Sequence, residues 1–495
     1  MRQLDALSAT DQGVSEYELM RCAGEAAFAH LRRLWPAASR FAVLCGTGNN
    51  GGDGWVVARL IHEAGLKCDT YLLGDQGRVR GPAREAFEAW QAATGLELRD
   101  AETFCDQDAS ACSYEVLIDA LVGIGFKGGA RESFDRLVEG VNLLRRPVLS
   151  LDVPSGLDTD TGAMISSVIS ATVTLTFMAL KPGLLTGRAR NIVGDLLLEP
   201  LGTVPVLLEQ VEPTAICLPS SLPDSLAQLR ARAAHKGDCG HVLVVGGNTG
   251  MGGAAILAAG AALRGGAGLV TLATRAQHVV ASLVRHPEVM AIDNDSTDLL
   301  PSLCERASAI VVGPGLGQDA WALACMRFVL ESDIPAVFDA DAINLLAGQN
   351  GFTDTQRLRI LTPHPGEAAR LAGCSVAMIE SDRVGWAARL AQNWASAVVL
   401  KGAGSVVDSG ESGRVPRICV SGNPGMATGG MGDVLAGLLG ALLAQGYSLS
   451  DVVEGGVYAH AAAADIAWEE HGIGLTAGDV LSHLGRVLTP ALDSL

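Results

Sequence analysis

A glycine-rich segment that ends in a single acid is the part of this chain whose chemistry is easiest to read. In SGNPGMATGGMGDVLAG, residues 421–437, several glycines precede Asp433 and an apolar run. Glycines admit a ligand close to the backbone, and a new helix presents unpaired N–H groups, so the pattern is typical of a phosphate site. We expect Asp433 to take a proton from an attacking hydroxyl, which indicates phosphoryl transfer. The alternative is an Asp that only caps the helix.

A second glycine-rich segment lies near the N-terminus. CGTGNNGGDGW, residues 45–55, follows the apolar run FAVLC and fits the pattern GxGxxG. The acid that usually ends the next strand of a hydride-transfer site is missing, because Asp69 begins that strand. Oxygens of Asn49, Asn50 and Asp53 suit a hard cation or a sugar hydroxyl. Turn chemistry alone explains the Asn-Gly step equally well.

Two more acids of the N-terminal half follow predicted strands. Asp119 lies in LIDALVGIGFKGG, and Asp152 lies with Ser155 in SLDVPSG. Because open parallel sheets bind ligands beyond the carboxyl ends of their strands, we expect these residues to join the glycine-rich segment in one site. Either acid could instead be an ordinary cap.

The C-terminal half carries further segments of the same kind. HKGDCGHVLVVGGNTGMGGAA supplies Lys236 and a glycine-rich loop, and VGPGLG supplies another loop. Prolines flank His364 in TPHPGE, and Lys401 follows a predicted strand in VLKGAGS, where it suits nucleotide phosphates. Close packing explains some of these glycines as well as a ligand does, and a lone histidine is usually structural.

The elements that must position these residues follow from the apolar pattern. Strand-like apolar runs alternate with amphipathic stretches, the first of them a helix near 54–65, and this alternation lapses into a proline-containing linker between about 203 and 235. The pattern predicts an α/β chain of two doubly wound domains, residues 1–215 and 225–495. We expect the second series of strands, from HVLVVGG to SVVDSG, to form a second parallel sheet.

Composition narrows the class of protein. The chain has 495 residues, 60 glycines and a formal net charge of −18 without a basic stripe, which argues against a nucleic-acid or membrane surface. Its 11 cysteines are scattered and form no CxxC, so neither a disulfide framework nor a zinc site is expected. The apolar stretches are too short to span a membrane, and no targeting pattern precedes them. We therefore expect a cytoplasmic protein.

The N-terminal motifs together are similar to a known family. From LMRCAGEAA through CGTGNNGGDGW, IDALVGIGFKGG, LDVPSGLD and TLTFMALKPGLL, roughly the first 200 residues resemble the NAD(P)H-hydrate epimerase domain. The resemblance implies a potassium ion on Asn50, Asp119 and Ser155, and an acid/base role for Asp152 at the nicotinamide end. The substrate-binding residues that it implies are Asn49, Asn50, Gly51, Gly52, Asp53, Gly123, Ile124, Gly125, Phe126, Lys127, Gly128, Gly129 and Asp152.

The C-terminal motifs are similar to a second family. HKGD, VGPGLG, DADAIN, TPHPGE, KG and GNPGMATGGMGD, in this order over about 225–495, resemble the ribokinase-like superfamily and within it the ADP-dependent NAD(P)H-hydrate dehydratase. The resemblance implies contacts to the hydrated substrate from Ala254, Gly317, His364 and Asp433. The nucleotide-binding residues that it implies are Lys401, Gly402, Ala403, Gly404, Ser405 and Gly432. We expect Mg²⁺ with the nucleotide, as for phosphoryl transfer generally.

Both resemblances together imply a bifunctional repair enzyme for hydrated NADH and NADPH. The first domain would interconvert the R and S forms, and the second would use ADP to dehydrate the S form. Two alternatives remain: a ribokinase-like kinase of another small molecule, and a non-catalytic sensor of nicotinamide nucleotides. The expected partners are NADHX, NADPHX and ADP, with no nucleic acid and no membrane, and further copies of the chain in a homo-oligomer.

Overall fold

A computed structural model describes residues 3–4, 7–8, 13–104, 112–125, 132–164, 166–202, 205–227, 230–348 and 359–489. The chain divides into two compact units, Met1–Pro213 and Thr214–Leu495. Within the described ranges, no helix has the length and apolar character needed to cross a membrane.

The first unit is built on a seven-stranded sheet whose pairings are all parallel in the described residues. The strands are β1 (Arg40–Cys45), β2 (Lys67–Leu72), β3 (Arg99–Asp100), β4 (Val116–Ala120), β5 (Val148–Leu151), β6 (Val173–Phe177) and β7 (Asp195–Glu199). The helices are α1 (Glu16–Leu34), α2 (Asn49–Glu63), α3 (Gly81–Thr94), α4 (Glu132–Leu143) and α5 (Pro205–Glu209).

The strand order of this sheet, β3-β2-β1-β4-β5-β6-β7, reverses between β1 and β4. Doubly wound sheets bind ligands at such a reversal, beyond the carboxyl ends of the strands. The glycine-rich segment follows β1, and Asp119 lies at the end of β4. The topology therefore places the predicted N-terminal site at the switch point.

One boundary differs from the sequence expectation. The helix predicted near 54–65 begins at Asn49, so Asn49, Asn50 and Asp53 lie in the first turns of α2 rather than in a loop. The glycines that suggested a loop serve close packing instead: a Cβ at Gly51 would overlap the carbonyl oxygen of Gly46. Helical glycine is unfavourable by about 1 kcal/mol relative to alanine, but here no larger residue fits.

The second unit is built on a ten-stranded sheet of order β11-β10-β9-β12-β13-β14-β15-β16-β17-β8. The strands are β8 (Ile216–Cys217), β9 (His241–Val245), β10 (Leu269–Thr274), β11 (Met290–Asp293), β12 (Ala309–Val312), β13 (Ala336–Phe338), β14 (Arg359–Leu361), β15 (Ala397–Leu400), β16 (Ser405–Asp408) and β17 (Arg417–Cys419). The helices are α6 (Gly252–Arg264), α7 (Ala276–Arg285), α8 (Leu300–Arg306), α9 (Ala320–Glu331), α10 (Ala340–Ala347), α11 (Pro365–Ala372), α12 (Val376–Ser381), α13 (Arg383–Trp394), α14 (Met431–Ala444), α15 (Leu449–His471) and α16 (Ala477–Val487).

Helix α14 lies at the centre of this unit. Residues 434–444 are buried without interruption, which explains why the sequence VLAGLLGALLA is apolar on every side. Two glycines bring the helix close to its neighbours, since a Cβ at Gly437 would overlap the backbone of Ala258 in α6, and one at Gly440 would overlap Val311 of β12. The first turn of α14, which carries Asp433, is thereby fixed against the sheet.

The prediction of a wholly parallel second sheet is wrong at one edge. Strand β16 pairs antiparallel with both β15 and β17. Only residues 401–404 separate β15 from β16, and a parallel pairing needs a crossover of a dozen residues or more, so this connection can only form a hairpin. The segment KGAG is therefore the turn of a hairpin.

The predicted linker at about 203–235 is in part regular structure. It contains α5, and β8 pairs with β17 at the edge of the second sheet. A strand of two residues has no readable alternation, which is why the sequence pattern missed it.

Candidate active sites

In the first unit, Asp119 is completely buried at the end of β4. Its oxygens accept hydrogen bonds from the hydroxyls of Ser150 (2.8 Å) and Ser155 (2.6 Å) and from the Ser155 N–H (2.9 Å). Burial raises the pKa of Asp119, and these hydrogen bonds oppose that rise. The structure thus brings together Asp119 and Ser155, two of the three predicted cation ligands.

Asn50 is the third predicted ligand, and its side chain is unusual. The residue is buried, and neither its amide nitrogen nor its amide oxygen has a hydrogen-bond partner among the described residues. Buried polar groups are nearly always paired, so an unsatisfied amide at a strand switch point indicates a ligand. A Cβ built on Gly123 would lie 3.3 Å from the Cβ of Asn50 and 3.6 Å from Oδ2 of Asp152. Asn50, Gly123 and Asp152 therefore line one space.

Asp152 is held by a lysine that the sequence analysis did not single out. Lys181 is 3% exposed, and its ammonium donates to Asp152 Oδ1 (2.5 Å), Thr176 Oγ1 (2.8 Å) and the carbonyl of Phe177 (2.8 Å). Asp152 also has a positive φ of 65°, a conformation that is uncommon outside glycine. Its carboxylate is therefore held in place through Oδ1, while Oδ2 lies on the Gly123 side.

The other implied epimerase residues are unevenly placed. Asn49 is exposed at the start of α2, Gly52 is buried, and Ile124 and Gly125 follow Gly123 on the half-exposed turn after β4. Four implied residues lie outside the described part of the chain: Phe126, Lys127, Gly128 and Gly129.

In the second unit, Asp433 lies in the first turn of α14, three residues after Gly430, which precedes the helix and has a φ of 94°. Burial and the nearby charges of Asp339 and Asp341 raise the pKa of Asp433 to about 7, against the opposing effect of Lys401. A general base works best when its pKa lies near the working pH. Asp433 is therefore suited to accept a proton at neutral pH.

Lys401 directly follows β15, and its charge acts on Asp433. Its ammonium donates to Asp339 Oδ1 at 2.6 Å, and the same oxygen accepts from the Thr362 hydroxyl at 2.7 Å. Burial disfavours the charged lysine, but Asp339 and Glu367 outweigh it, and the pKa of Lys401 is raised. A Cβ on Gly432 would lie 3.1 Å from the Lys401 Nζ, so the ammonium reaches the glycine-rich segment.

His364 has a structural role, which the sequence left open, and its side chain is also half exposed to solvent. It caps α11: its Nδ1 accepts from the Gly366 N–H at 2.9 Å, and its Nε2 lies 3.3 Å from Glu367 Oε1. Burial and the charge of Lys401 lower the pKa of His364. Half of the side chain is exposed, so a neutral ring is available to a ligand.

The two remaining substrate candidates lie on neighbouring loops. Gly317 donates its N–H to Asp341 Oδ2 at 2.8 Å, and Asp341 is one of the charges that act on Asp433. A Cβ on Gly315 would lie 3.3 Å from the Cβ of Ala254. Ala254 and Gly317 therefore border the same region as Asp433.

Lys236, by contrast, lies away from this cluster. It is exposed and precedes β9, and its carbonyl packs on Gly268, which precedes β10. It is thus at the amino ends of these parallel strands, whereas Asp433, Lys401 and Asp339 surround the carboxyl ends. Lys236 therefore lies outside this cluster.

The hairpin turn that follows Lys401 is held by its own hydroxyl and by an arginine. Gly402 donates its N–H to Ser405 Oγ at 3.2 Å, and Gly402 and Gly404 have φ values of 150° and 64°. Arg383 is 1% exposed and donates to the carbonyls of Leu400 and Lys401, both at 3.1 Å. Arg383 thus stabilises the start of the turn that carries the predicted nucleotide-binding residues.

Comparison with known proteins decides the family. Residues 242–486 match the family described as NAD(P)H-hydrate dehydratase, and residues 16–183 match the family described as YjeF-related protein N-terminus. A bifunctional NAD(P)H-hydrate repair enzyme of Coxiella burnetii is 43% identical over 491 residues, which are 99% of this chain and 98% of the relative. The chain belongs to the bifunctional NAD(P)H-hydrate repair enzyme family.

Further comparisons agree with this membership. The Escherichia coli K12 member of the repair enzyme family is 42% identical over 97% of this chain and 90% of its own. A crystal structure of a ribokinase-like superfamily protein from Enterococcus faecalis V583 is 29% identical, covers 56% of this chain and 96% of its own, and has a TM-score of 0.51. The predicted family and the predicted α/β fold class are confirmed.

Several charged residues near the two candidate sites of this repair enzyme were not predicted from the sequence. Asp339 and Asp341 lie in the quoted motif DADAIN, directly after β13, and Glu367 lies in TPHPGE. Their position after predicted strands was a usable signal, since the same signal identified Asp119 and Asp152. Lys181 also follows a strand, since it lies four residues after β6 in the quoted motif TLTFMALKPGLL. Arg383 gave no such signal, because only the folded chain brings it to the carbonyls of Leu400 and Lys401.

Proposed function

We propose that the chain repairs hydrated nicotinamide nucleotides at two sites. The domain at 1–215 interconverts R and S NAD(P)HX, and the domain at 225–495 dehydrates the S form with ADP to give NAD(P)H, AMP and phosphate. The observation that carries the proposal is Asp433, a carboxyl with a pKa of about 7 at the start of a helix, beside the ammonium-bearing side chain of Lys401. Full-length similarity to repair enzymes supports both halves of the proposal.

Dehydration proceeds in two stages, phosphorylation of the ring hydroxyl and elimination of phosphate. Asp433 takes the proton of the hydroxyl on C6 of the nicotinamide ring, and the oxygen attacks the terminal phosphorus of ADP. The bond from that phosphorus to the bridging oxygen breaks, and AMP leaves. The ring nitrogen then pushes its electron pair towards C6 and expels phosphate, and loss of the proton from C5 restores the double bond of NAD(P)H.

The chain's own groups lower the barrier by electrostatics. The N–H groups at the start of α14 and the ammonium of Lys401 face the region where charge develops on the transferring phosphoryl group. Gly432 leaves the space between them open. Lys401 keeps its charge because Asp339 and Glu367 outweigh its burial.

Mg²⁺ would supply charge neutralisation on the nucleotide phosphates. Within the described residues, no three His, Cys, Asp or Glu side chains form a metal-binding group. Mg²⁺ usually keeps several waters and binds one or two carboxylates together with phosphates. The carboxylates available to it beside the glycine-rich segment are those of Asp339 and Asp341.

For the epimerase site we propose that Asn50, Asp119 and Ser155 surround a potassium ion. The unpaired Oδ1 of Asn50 supports this, because a cation would satisfy it. The single proton of the Ser155 hydroxyl has two acceptors, Asp119 Oδ1 at 2.6 Å and the Val122 carbonyl at 3.2 Å, so one oxygen remains for a ligand. The buried charge of Asp119 favours a cation nearby.

We propose Asp152 as the acid/base of epimerisation and the remaining implied residues as its substrate contacts. Its support is the fixed carboxylate, with Oδ1 on Lys181 and Oδ2 beside Gly123. In the second domain, Ala254, Gly317, His364 and Asp433 would contact the substrate. The residues proposed to hold the nucleotide are Lys401, Gly402, Ala403, Gly404, Ser405 and Gly432.

The remaining points concern the cellular compartment and the oligomeric state of the protein. We propose a cytoplasmic protein, which the ten unpaired cysteines of the described residues support. We also propose a homo-oligomer, supported by an apolar stripe on α7 in which Val280, Leu283 and Val284 are 70%, 45% and 81% exposed.

The test is to incubate the full-length protein with equilibrated R and S NADPHX, with and without ADP, and to separate both isomers and all products by chromatography. The proposal expects loss of both isomers and equal amounts of NADPH, AMP and phosphate when ADP is present. A stable phosphorylated nucleotide would identify a kinase instead. Unchanged isomers, with the protein merely bound to them, would identify a sensor.

A further inference from the structure

Helix α15 runs beneath the glycine-rich segment that precedes Asp433. Four of its residues recur at helical spacing and contact this segment, so they lie on one face of the helix. They are Ala461, Ala464, Asp465 and Trp468. No motif of the sequence analysis included them.

The strongest contact of this face is a carboxylate. Asp465 accepts the Gly422 N–H on Oδ2 at 3.0 Å and the Asn423 amide on Oδ1 at 2.9 Å. The Asn423 amide also donates to the carbonyl of Ala464 at 3.0 Å, and its oxygen accepts the Gly425 N–H at 3.1 Å. Hydrogen bonds to a charged acceptor are stronger than neutral ones. Two consecutive residues at the start of the segment are thus bound to one carboxylate.

Packing reinforces the same attachment. A Cβ on Gly425 would lie 2.7 Å from the ring of Trp468, and a Cβ on Gly422 would lie 3.7 Å from the Cβ of Ala461. The segment and the helix are therefore in direct contact, with glycine at the closest point.

The other end of the segment is attached to the same helix. The ring of His460, one turn before Ala464, lies close to the backbone of Met431, the first residue of α14. His460 is 6% exposed, and its Nε2 has no partner among the described residues. Residues 422 and 431 are thus both fixed to α15, and the glycines between them bridge two fixed points.

Fixing both ends matters because the bridge is rich in glycine. A glycine-rich chain loses more conformational entropy on ordering than any other, and a binding site that must be ordered by its ligand binds that ligand more weakly. An attachment that orders the bridge in advance removes part of this cost.

We propose that Asp465 is a positioning residue that holds the phosphate-binding segment 421–432 in its ligand-ready form through Gly422 and Asn423. The proposal rests on the function proposed above, in that the segment binds the phosphates of ADP. Asp465 acts on the nucleotide only through the segment, by way of the Gly422 N–H and the Asn423 side chain.

The test compares Asp465→Ala and Asp465→Asn in the full-length protein with Glu469→Gln, which removes an exposed charge from the next turn of α15. ADP affinity is measured by calorimetry, and KM for ADP, KM for S-NADPHX and kcat are measured separately. Thermal unfolding is followed for each variant. Asp465→Asn keeps one acceptor oxygen for Gly422 or Asn423, so it serves as the conservative variant.

We expect Asp465→Ala to weaken ADP binding and to raise KM for ADP about tenfold, as the loss of hydrogen bonds to a charged group predicts. Asp465→Asn should fall between this variant and the wild type, and KM for S-NADPHX and the Glu469→Gln control should stay within about twofold. If Asp465→Ala does not fold, Asp465→Asn and Asn423→Ala must show the selective rise. An unchanged KM for ADP in folded variants would overturn the inference. If the wild type itself does not bind ADP, the proposed function fails instead.

Discussion

At the scale of single residues, the pKa of Asp433 in the second unit depends on the charged side chains around it. Asp339 holds Lys401 at 2.6 Å, and both act on Asp433 with opposite sign. Burial adds to the effect of Asp339 and raises the pKa of Asp433 to about 7. A base must be deprotonated to act, so the rate of dehydration should fall as the pH drops below about 7.

Removing Asp339 tests this arrangement. Asp339→Asn deletes a negative charge that raises the pKa of Asp433 and frees Lys401, which lowers it, so both effects move the pKa of Asp433 down. We expect the acid limb of the profile of kcat/KM against pH to shift to lower pH by about one unit or more. Asp298→Asn, at an exposed position, should leave the profile in place. If the acid limb of the pH profile of Asp339→Asn is the same as that of the wild type, the ionisation of Asp433 does not determine this limb.

The residues that the sequence analysis predicted share one property. Asp119, Asp152, Lys401 and Asp433 each follow a strand or a glycine-rich segment, so a pattern marks them. Lys181 and Asp465 are as well placed in the structure, but Lys181 lies four residues beyond the end of its strand, and Asp465 lies inside a long helix whose pattern does not indicate a binding site. Only the packing of distant segments brings them to Asp152 and Gly422, and periodicity carries no information about that.

At the scale of elements, glycine has two different uses. In Gly402, Gly404 and Gly430 a positive φ is needed at a turn or helix start. In Gly51 and Gly437 the φ is ordinary, and the missing Cβ lets two backbones touch. The sequence does not separate the two uses, which is why the start of α2 was predicted five residues too late.

Gly437→Ala should therefore destabilise the protein although alanine is the better helix former. Its Cβ would overlap the backbone of Ala258 in α6, and overpacking of this kind costs about 1–3 kcal/mol. Gly253→Ala, at an exposed helical position with no heavy atom within 4 Å of the new Cβ, should be neutral or stabilising. Thermal or urea unfolding of both variants checks this. Equal stabilities would show that α14 and α6 are less closely packed than described.

The parallel strands were the most predictable elements, because strands buried on both faces read as short apolar runs. Strands β3 and β8 are exceptions, because two residues are too few to show a pattern. Strand β16 is an exception of another kind, because its apolar residues indicate a strand but not that it pairs antiparallel with its neighbours. The fold class was thus readable, and the arrangement of one edge was not.

At the scale of the whole molecule, one chain contains two doubly wound units. The proposed site of each lies at the carboxyl ends of its strands: in the first unit where the sheet order reverses between β1 and β4, and in the second after β13, β14 and β15. If the second unit accepts only the S form, the two activities depend on each other for complete repair of the pool.

Asp152→Asn separates the two activities. We expect this variant to convert the S form with ADP at the wild-type rate and then to stop, because R is no longer interconverted with S on the time scale of the assay. The wild type should consume both forms. Chromatography of the remaining isomers measures the difference, and Asp160→Asn, at an exposed position of the same unit, is the matched control. Full consumption of R by Asp152→Asn would contradict the assignment of Asp152.

The central claim is that Asp433 deprotonates the hydroxyl of the hydrated ring, and the most direct measurement is the regeneration of NADPH absorbance by Asp433→Asn after addition of ADP. Asparagine keeps the shape of the side chain and removes the base, and loss of a general base lowers rates by about 10²–10⁴. We predict a decrease of this size with R and S interconversion intact. Regeneration at the wild-type rate would contradict the account.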